Sequence, residues 1–515
     1  MAQQLQAYSI SAPGFYGLNT QDSSLDLPSG YALIANNCVI DQYGRVGARK
    51  GWTPINSTLA ALGSNDVQAI GELVIRDGTS YTICAGNNKL FKLVGSTLTE
   101  LTYGGGGSAP TITASYWQFA MLLNVFVMFQ SGHDPLYFDP TVSTTTYKRI
   151  SEAATYTGTV QKSNTVIAAY GRFWHADVAT DKLTIQWCDI NSAFNYSTGT
   201  SGTLDTYTVW PKGGDSIVAL AAHNNSLFIF GKRNILVYTG ANNPATMTLS
   251  DTIVGIGCVA RDSIAYTGTD LIFLSETGVR SILRTIQEKS SPINDLSKNV
   301  RNDLIELVKN ESNTSKIKSV YSARDALYLV TLPSSYITYC FDTKNFLQDG
   351  SSRVTTWDGI NPTSMFFRSD GTLLFGKPGY VASYTGYKDN GLAYRMQYFT
   401  NHLDLGDPSV TTVLKKLTAT IVGGSNQSIT FKWGYDFKGN YNSATKLIPN
   451  QYLSYYGVDE YNTTATYSNG SLIQSLSVFP NGAGKVVQTG YETDIFGSAL
   501  SIQKIEIFAK NGKLI

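Results

Sequence analysis

At 515 residues the chain is too long for one ordinary core, and two or three domains are expected. Its 39 lysines and arginines nearly balance 38 acidic residues, a net charge of +1, which excludes the basic excess of a dedicated nucleic-acid binder. Only 15% of residues are charged while tyrosine reaches 32, a β-rich balance that also suits a surface largely covered by partners.

Residues 1–60 read as an extended arm ending in an opening hairpin. APGFYGLNTQDSSLDLPSGYA, from Ala12 to Ala32, carries two prolines and several turn formers, so it is expected to lie over other surfaces. CVIDQYGRVGARKGW, from Cys38 to Trp52, follows with a strand, a Tyr-Gly turn, a second strand and a basic tail. Arg45, Arg49 and Lys50 face only Asp41 in this stretch. Three readings stay open for them and for Trp52. They contact DNA, or they form a joint with a neighbouring subunit or ring with Trp52 as its buried anchor, or they make a solvated basic face with Trp52 in the core.

Residues 61–390 repeat one pattern: an apolar strand, a polar turn, a second apolar strand and a third ending in Tyr or Phe. The units span 69–101, 116–150, 165–196, 216–240, 262–283, 317–346 and 362–386. They begin at intervals of roughly 40 to 60 residues, the range of propeller blades. A small twisted sheet cannot bury both faces alone, and radial stacking closes the ring. Six to eight blades fit, with seven units counted. Asp77-Gly78 marks the first hairpin turn, and Asp370-Gly371 in FRSDGTLLF reads as a type I′ turn rather than the Asp turn of a sialidase. One stretch interrupts the strands. SPINDLSKNVRNDLIELVKN places Ile293, Leu296, Val300, Leu304 and Val308 on one face, predicting an inserted amphipathic helix of about four turns.

Residues 391–515 change pattern. Leu417, Ala419 and Ile421 alternate with Thr418, Thr420 and Val422, and SALSIQKIEIFAKNGKLI ends the chain. This predicts a β-sandwich-like domain whose last strand returns to pair with earlier ones. The fold expected is therefore all-β: a propeller with a C-terminal sandwich and one helix.

Catalytic chemistry is hard to find. His133, His175, His223 and His402 show no metal-ligand spacing, and no residue is assigned to catalysis, a metal or a cofactor. GGGGSAP at 104–110 reads as a loop between blades, since no strand-loop-helix context follows it. GAGKVV around Lys485 lacks the first Gly and the Ser/Thr of a P-loop. The five cysteines are far apart and odd in number, which predicts buried free thiols and a reducing compartment. MAQQLQAYSI lacks the regions of a signal peptide, and no apolar run approaches the ~20 residues of a membrane span.

Three stretches carry a resemblance. The segment from Ala12 to Trp52, the segment MTLSDTIVGIGCVARDSIAYTGTDLIFLSETGVRSI from Met247 to Ile282, and LKKLTATIVGGSNQSITFKWGYD resemble virion proteins of short-tailed bacteriophages. The family is the tail nozzle or tail tubular protein B, with the packaged-DNA stabilisation proteins related in role. The resemblance implies a non-enzymatic structural protein, made in the host cytoplasm and placed in the virion tail. It implies a homohexameric ring below the portal and adaptor, also touching tail fibre or spike proteins. The ring retains packaged double-stranded DNA, then conducts it with weak, non-specific contact. Loops 103–109 and 440–470 are candidate gates. Near-zero net charge suits a wall past which DNA must slide. The alternative is a carbohydrate-binding propeller acting as a receptor-binding tail protein, for which exposed Tyr and Trp would stack on sugars.

Overall fold

The computed structural model describes residues 5–59, 61–113, 116–211, 214–288, 295–404, 410–449 and 473–514. Its strands form seven blades and a two-sheet sandwich. Blade one comprises Val67–Val74, Ser80–Gly86, Lys89–Val94 and Thr97–Tyr103, blade two Trp117–Leu122, Val125–Gln130, Leu136–Phe138 and Thr146–Arg149. Blade three runs from Ser163–Ala169 to Gly202–Asp205, blade four from Ile217–His223 to Thr248–Val254. Blade five has three strands, Ala265–Tyr266, Leu271–Ser275 and Gly278–Ser281. Blade six runs from Lys318–Ser322 to Arg353–Trp357, and blade seven begins with Ser364–Phe367, Leu373–Lys377 and Tyr380–Tyr384.

Each of the seven sequence units is one blade. Second strands such as Val125–Gln130, Leu271–Ser275 and Leu327–Leu332 are buried along their whole length. They are covered on both faces by neighbouring blades, so they read as continuous apolar runs. Separate apolar clusters fill the gaps between blades: Phe126 and Leu73 between one and two, Phe173 and Phe129 between two and three, Trp174 and Leu227 between three and four. Asn87-Asn88 and Asn224-Asn225 hold positive φ at both positions, as type I′ hairpins require. At Asp77-Gly78 and Asp370-Gly371 only the glycine does, at 88° and 83°. The predicted type I′ turn at Asp370 is thus corrected. Gly371 N–H bonds the Arg368 carbonyl, and Arg368 N–H bonds the Thr372 carbonyl, giving a type I turn with a bulged glycine.

The first sixty residues are woven into both bodies rather than laid over them. Trp52–Pro54 is the fourth strand of blade seven, pairing Trp52 with Tyr384 and Pro54 with Ala382, so the start of the chain closes the ring. Leu5–Ser11 pairs antiparallel with the C-terminal strand, from Leu5 opposite Lys510 to Ser11 opposite Lys504. Gly17–Leu18 lies between Arg353–Trp357 of blade six and Tyr31–Asn36, joining the propeller to the sandwich in one ten-stranded sheet. Gly17 sits at φ 83°, and a Cβ there would fall 2.5 Å from the Val354 carbonyl oxygen. Only glycine lets the two backbones approach this closely.

From Tyr31–Asn36 that sheet continues through Tyr394–Thr400, Val487–Ile495 and Ser428–Tyr435 to Asn442–Leu447. The facing sheet is built on Val410–Gly423 and Leu500–Leu514, with Ile473–Val478 at one edge and Val46–Ala48 and Cys38–Ile40 at the other. Leu417, Ala419 and Ile421 point into the core as their alternation predicts. The predicted long helix is shorter. An α-helix spans Arg301–Asn310, preceded by a 3-10 turn at Lys298–Val300. The Asp295 carboxylate accepts from Ser297 Oγ at 3.0 Å and from Arg301 Nε at 3.0 Å, holding the chain out of helical geometry there. Leu296, Val300, Leu304 and Val308 are buried as expected, while Ile293 lies outside the described residues. A second helix, Ile282–Glu288, follows blade five directly, with Ser281 Oγ accepting from the Arg284 amide at 3.2 Å.

Candidate functional site

The basic hairpin is spent inside the chain. Arg45 pairs with Asp41 at 2.7 Å and lies 4.4 Å from the Tyr43 ring centroid. Arg49 is completely buried. Its Nε donates to Asn37 Oδ1 at 2.9 Å, and its terminal nitrogens donate to the two Asp389 carboxylate oxygens at 2.9 and 2.7 Å. Its guanidinium stacks 4.0 Å over Tyr394, whose hydroxyl donates to the Arg49 carbonyl. Arg49 therefore ties the hairpin to the exit of blade seven and to the sandwich. Lys50 Nζ lies 3.4 Å from Asp325 Oδ1. Trp52 is half-buried in the closing strand, with Lys377 Nζ 5.0 Å from its ring. Each of the three cations has a carboxylate partner within the chain. The exposed part of the hairpin is its turn, Gln42 and Tyr43, the latter at 60%.

The concave centre lies on the propeller axis. A chamber of about 260 Å³ is lined from the first strand of every blade. Ile70, Phe119, Ile167 and Leu220 come from blades one to four, and Tyr266, Lys318 and Met365 from blades five to seven. Radial stacking sets this geometry, because each first strand points its side chains at the axis. Arg261, just before blade five, reaches across the axis. Its Nη2 donates to the Trp117 carbonyl of blade two at 2.9 Å, and its Nη1 to Asn164 of blade three at 3.0 Å. Its Nε and Nη2 hold the Asp262 carboxylate at 2.7 and 3.0 Å. Lys318 Nζ donates to the same carboxylate. Burial opposes ionisation of Asp262, but Arg261 and Lys318 outweigh it and hold the carboxyl well below its usual range. Burial pushes the Lys318 ammonium below its ordinary value, opposed by Asp262. The network is a strut that ties four blades together at the axis.

Other perturbed groups are buried within blades. His175 is fully buried, its Nδ1 2.8 Å from Ser163 Oγ and its ring 5.2 Å from Phe129, and burial lowers its pKa to about 3. All five cysteines are free and buried, and burial pushes the Cys84 thiol up to about 12 and Cys258 to about 11. Such thiols are inert at neutral pH. Among the described residues, no group of three or more His, Cys, Asp and Glu side chains gathers in a metal-binding arrangement.

No family model matches the chain, and no curated protein matches it. Solved structures do. The Pan2 WD40 domain of Neurospora crassa shares 9% identity over 65% of this chain and 96% of its own, at TM-score 0.40. YCF48 from Cyanidioschyzon merolae shares 11% over 65% and 98%, at TM-score 0.37. KlAtg21, in complex with the coiled-coil of AgAtg16, shares 14% over 51% and 77%, at TM-score 0.30. The propeller assignment itself rests on the strand pairing.

Of the two candidate gates, loop 103–109 lies at the outer edge of blades one and two. Gly104 N–H bonds the Tyr147 carbonyl at 2.9 Å, and Arg149 Nη2 bonds the Ser108 carbonyl at 2.7 Å. Of 440–470, residues 442–447 form the edge strand and 450–470 lie outside the described residues. The axial strut was missed in sequence. Its one signal is the Arg-Asp pair in GCVARDSIAY, two charges inside an apolar run. No helix of the described residues is long and apolar enough to cross a membrane.

Proposed function

We propose that the protein is a structural, non-enzymatic subunit of an oligomeric ring, of the kind that short-tailed phages use as a tail nozzle. The observation that carries the reading is the open side of the sandwich. Among the described residues, Asn442–Leu447 and Ile473–Val478 are edge strands of its two sheets, next to one another. Leu447 is 66% exposed, Ile473 62%, and Phe479, past the other end of the second strand, 80%. Edge strands with unpaired backbone groups are templates for pairing, and large exposed apolar side chains mark a surface that a partner covers. A closed ring uses two different faces on each subunit, and this edge serves as one of them. The chain's near-neutral charge supports a conduit wall, and its resemblance to nozzle segments supports the specific setting. In that setting the partners are the adaptor and portal above, fibre or spike proteins at the side, and DNA in the lumen.

Native mass spectrometry and electron microscopy of the purified protein test this. A six-fold ring with a through-channel is expected. A monomer at all concentrations would remove the reading, and a trimer would favour the receptor-binding alternative.

A further inference from the structure

We propose that the propeller axis is a binding site for a carboxylate carried on an apolar stem. Two contiguous cavities make the site. The axial chamber opens into a vestibule of about 420 Å³ between blades five, six and seven, and the two share Ile264, Tyr266, Ser319, Met365 and Phe366. The vestibule adds Val320, Tyr321 and Phe367, an apolar wall. The chamber holds the charges. The site thus has an apolar mouth and a charged floor, the pattern that orients an amphipathic ligand.

The charge balance fixes the sign. The floor carries two cations, Arg261 and Lys318, against one carboxylate, Asp262. A buried surplus of positive charge is costly unless an anion answers it. Arg261 cannot take that anion, since its nitrogens are engaged by Asp262, Asn164 and the Trp117 carbonyl. Lys318 can. Its side chain is about nine-tenths buried, its ammonium has three donors, and among the described residues Asp262 is its one hydrogen-bond acceptor. Gln68 lines the same chamber with its side-chain oxygen buried and unpartnered, so nothing holds the amide in that orientation and a half-turn presents its N–H there instead. A carboxylate on Lys318 restores neutrality, and Gln68, once turned, donates its amide N–H to it. The stem then lies against Tyr266, Met365 and Phe366. The chemistry is shared by a free aryl or alkyl acid and by an acidic side chain that a partner inserts along the axis.

The test is isothermal titration of the full chain with three probes: 4-phenylbutyrate, its uncharged amide 4-phenylbutyramide, and the blocked tripeptide acetyl-Phe-Glu-Phe-amide. The acid is expected to bind at least about tenfold tighter than the amide. Lys318→Met abolishes that preference and Lys318→Arg retains it. Tripeptide binding would identify a partner's side chain as a competent source, and acid binding alone would restrict the site to small acids. Equal binding of acid and amide by the wild-type protein, or no binding of any probe, overturns the proposal without reliance on either variant.

Discussion

The propeller and the sandwich are closed in opposite ways. The ring of blades is sealed twice, by Trp52–Pro54 at its rim and by the Arg261 strut at its axis. The sandwich shares a sheet with blade six yet, among the described residues, keeps two neighbouring edges open at Asn442–Leu447 and Ile473–Val478. The rigid body is built where the chain's distant parts meet, and the unpaired edges belong to the sandwich.

The comparison is most sharply broken at Arg49. Arg49→Met leaves Asp389 without its buried partner and should cost about 3–5 kcal/mol, read as a fall in the urea midpoint. Adding Asp389→Asn should recover part of that loss. Gly17→Ala is next. It forces a left-handed backbone position and drives Cβ into the Val354 carbonyl, at a cost of about 1–3 kcal/mol. A loss within about 0.5 kcal/mol would mean that the seam between blade six and the sandwich gives way without penalty.

Acid tests the blades rather than the seam. His175 titrates near 3 in the fold against about 6.5 when unfolded, because burial disfavours the imidazolium. The unfolded chain therefore binds the extra proton first. Its stabilising contribution is complete above about pH 6.5 and is lost as pH falls toward 3, by at most about 1.4 kcal/mol per unit. Asp295 and Asp342, whose carboxyls burial raises, act in the opposite sense. His402, whose imidazolium burial also disfavours, acts in the same sense as His175, so His175→Gln should reduce the slope between about pH 6.5 and 5 in urea titrations without removing it. The smallest effect on stability belongs to the open edge. Leu447→Lys with Ile473→Lys should leave the urea midpoint of the isolated chain within about 0.5 kcal/mol while lowering the oligomer population in native mass spectrometry. Unchanged assembly would move the docking surface elsewhere.

The blades were legible because each carries its own signals. Asp77-Gly78 and Asn87-Asn88 punctuate blade one, and its apolar strands lie between them. The weaving of the first sixty residues was not legible. Gly17–Leu18 is two residues long, too short for any period, and its partner Val354 lies far away in sequence; the hairpin of Cys38–Ile40 and Val46–Ala48 was legible, but its pairing with Ser501 and Ile502 was not. The partners of the basic hairpin were hidden for the same reason. Asp389, which answers Arg49, is 340 residues away, so the local sequence showed cations without their counter-ion. Arg261 was hidden likewise, with the Trp117 carbonyl 144 residues before it. Hydrophobic pattern reports which face is buried, and it carries no record of which distant charge shares that burial.

The strand that seals the rim also sets a timetable. Asn56 accepts a hydrogen bond from Val381, 325 residues later. At a synthesis rate of ~5–20 residues per second, the closing strand stands ready for roughly 15–65 s before its partner leaves the ribosome. Leu5–Ser11 waits longer still, since its partner is the last strand of the chain. What is made first is thus finished last, and the nascent chain must keep these strands from foreign pairing until the ring can shut.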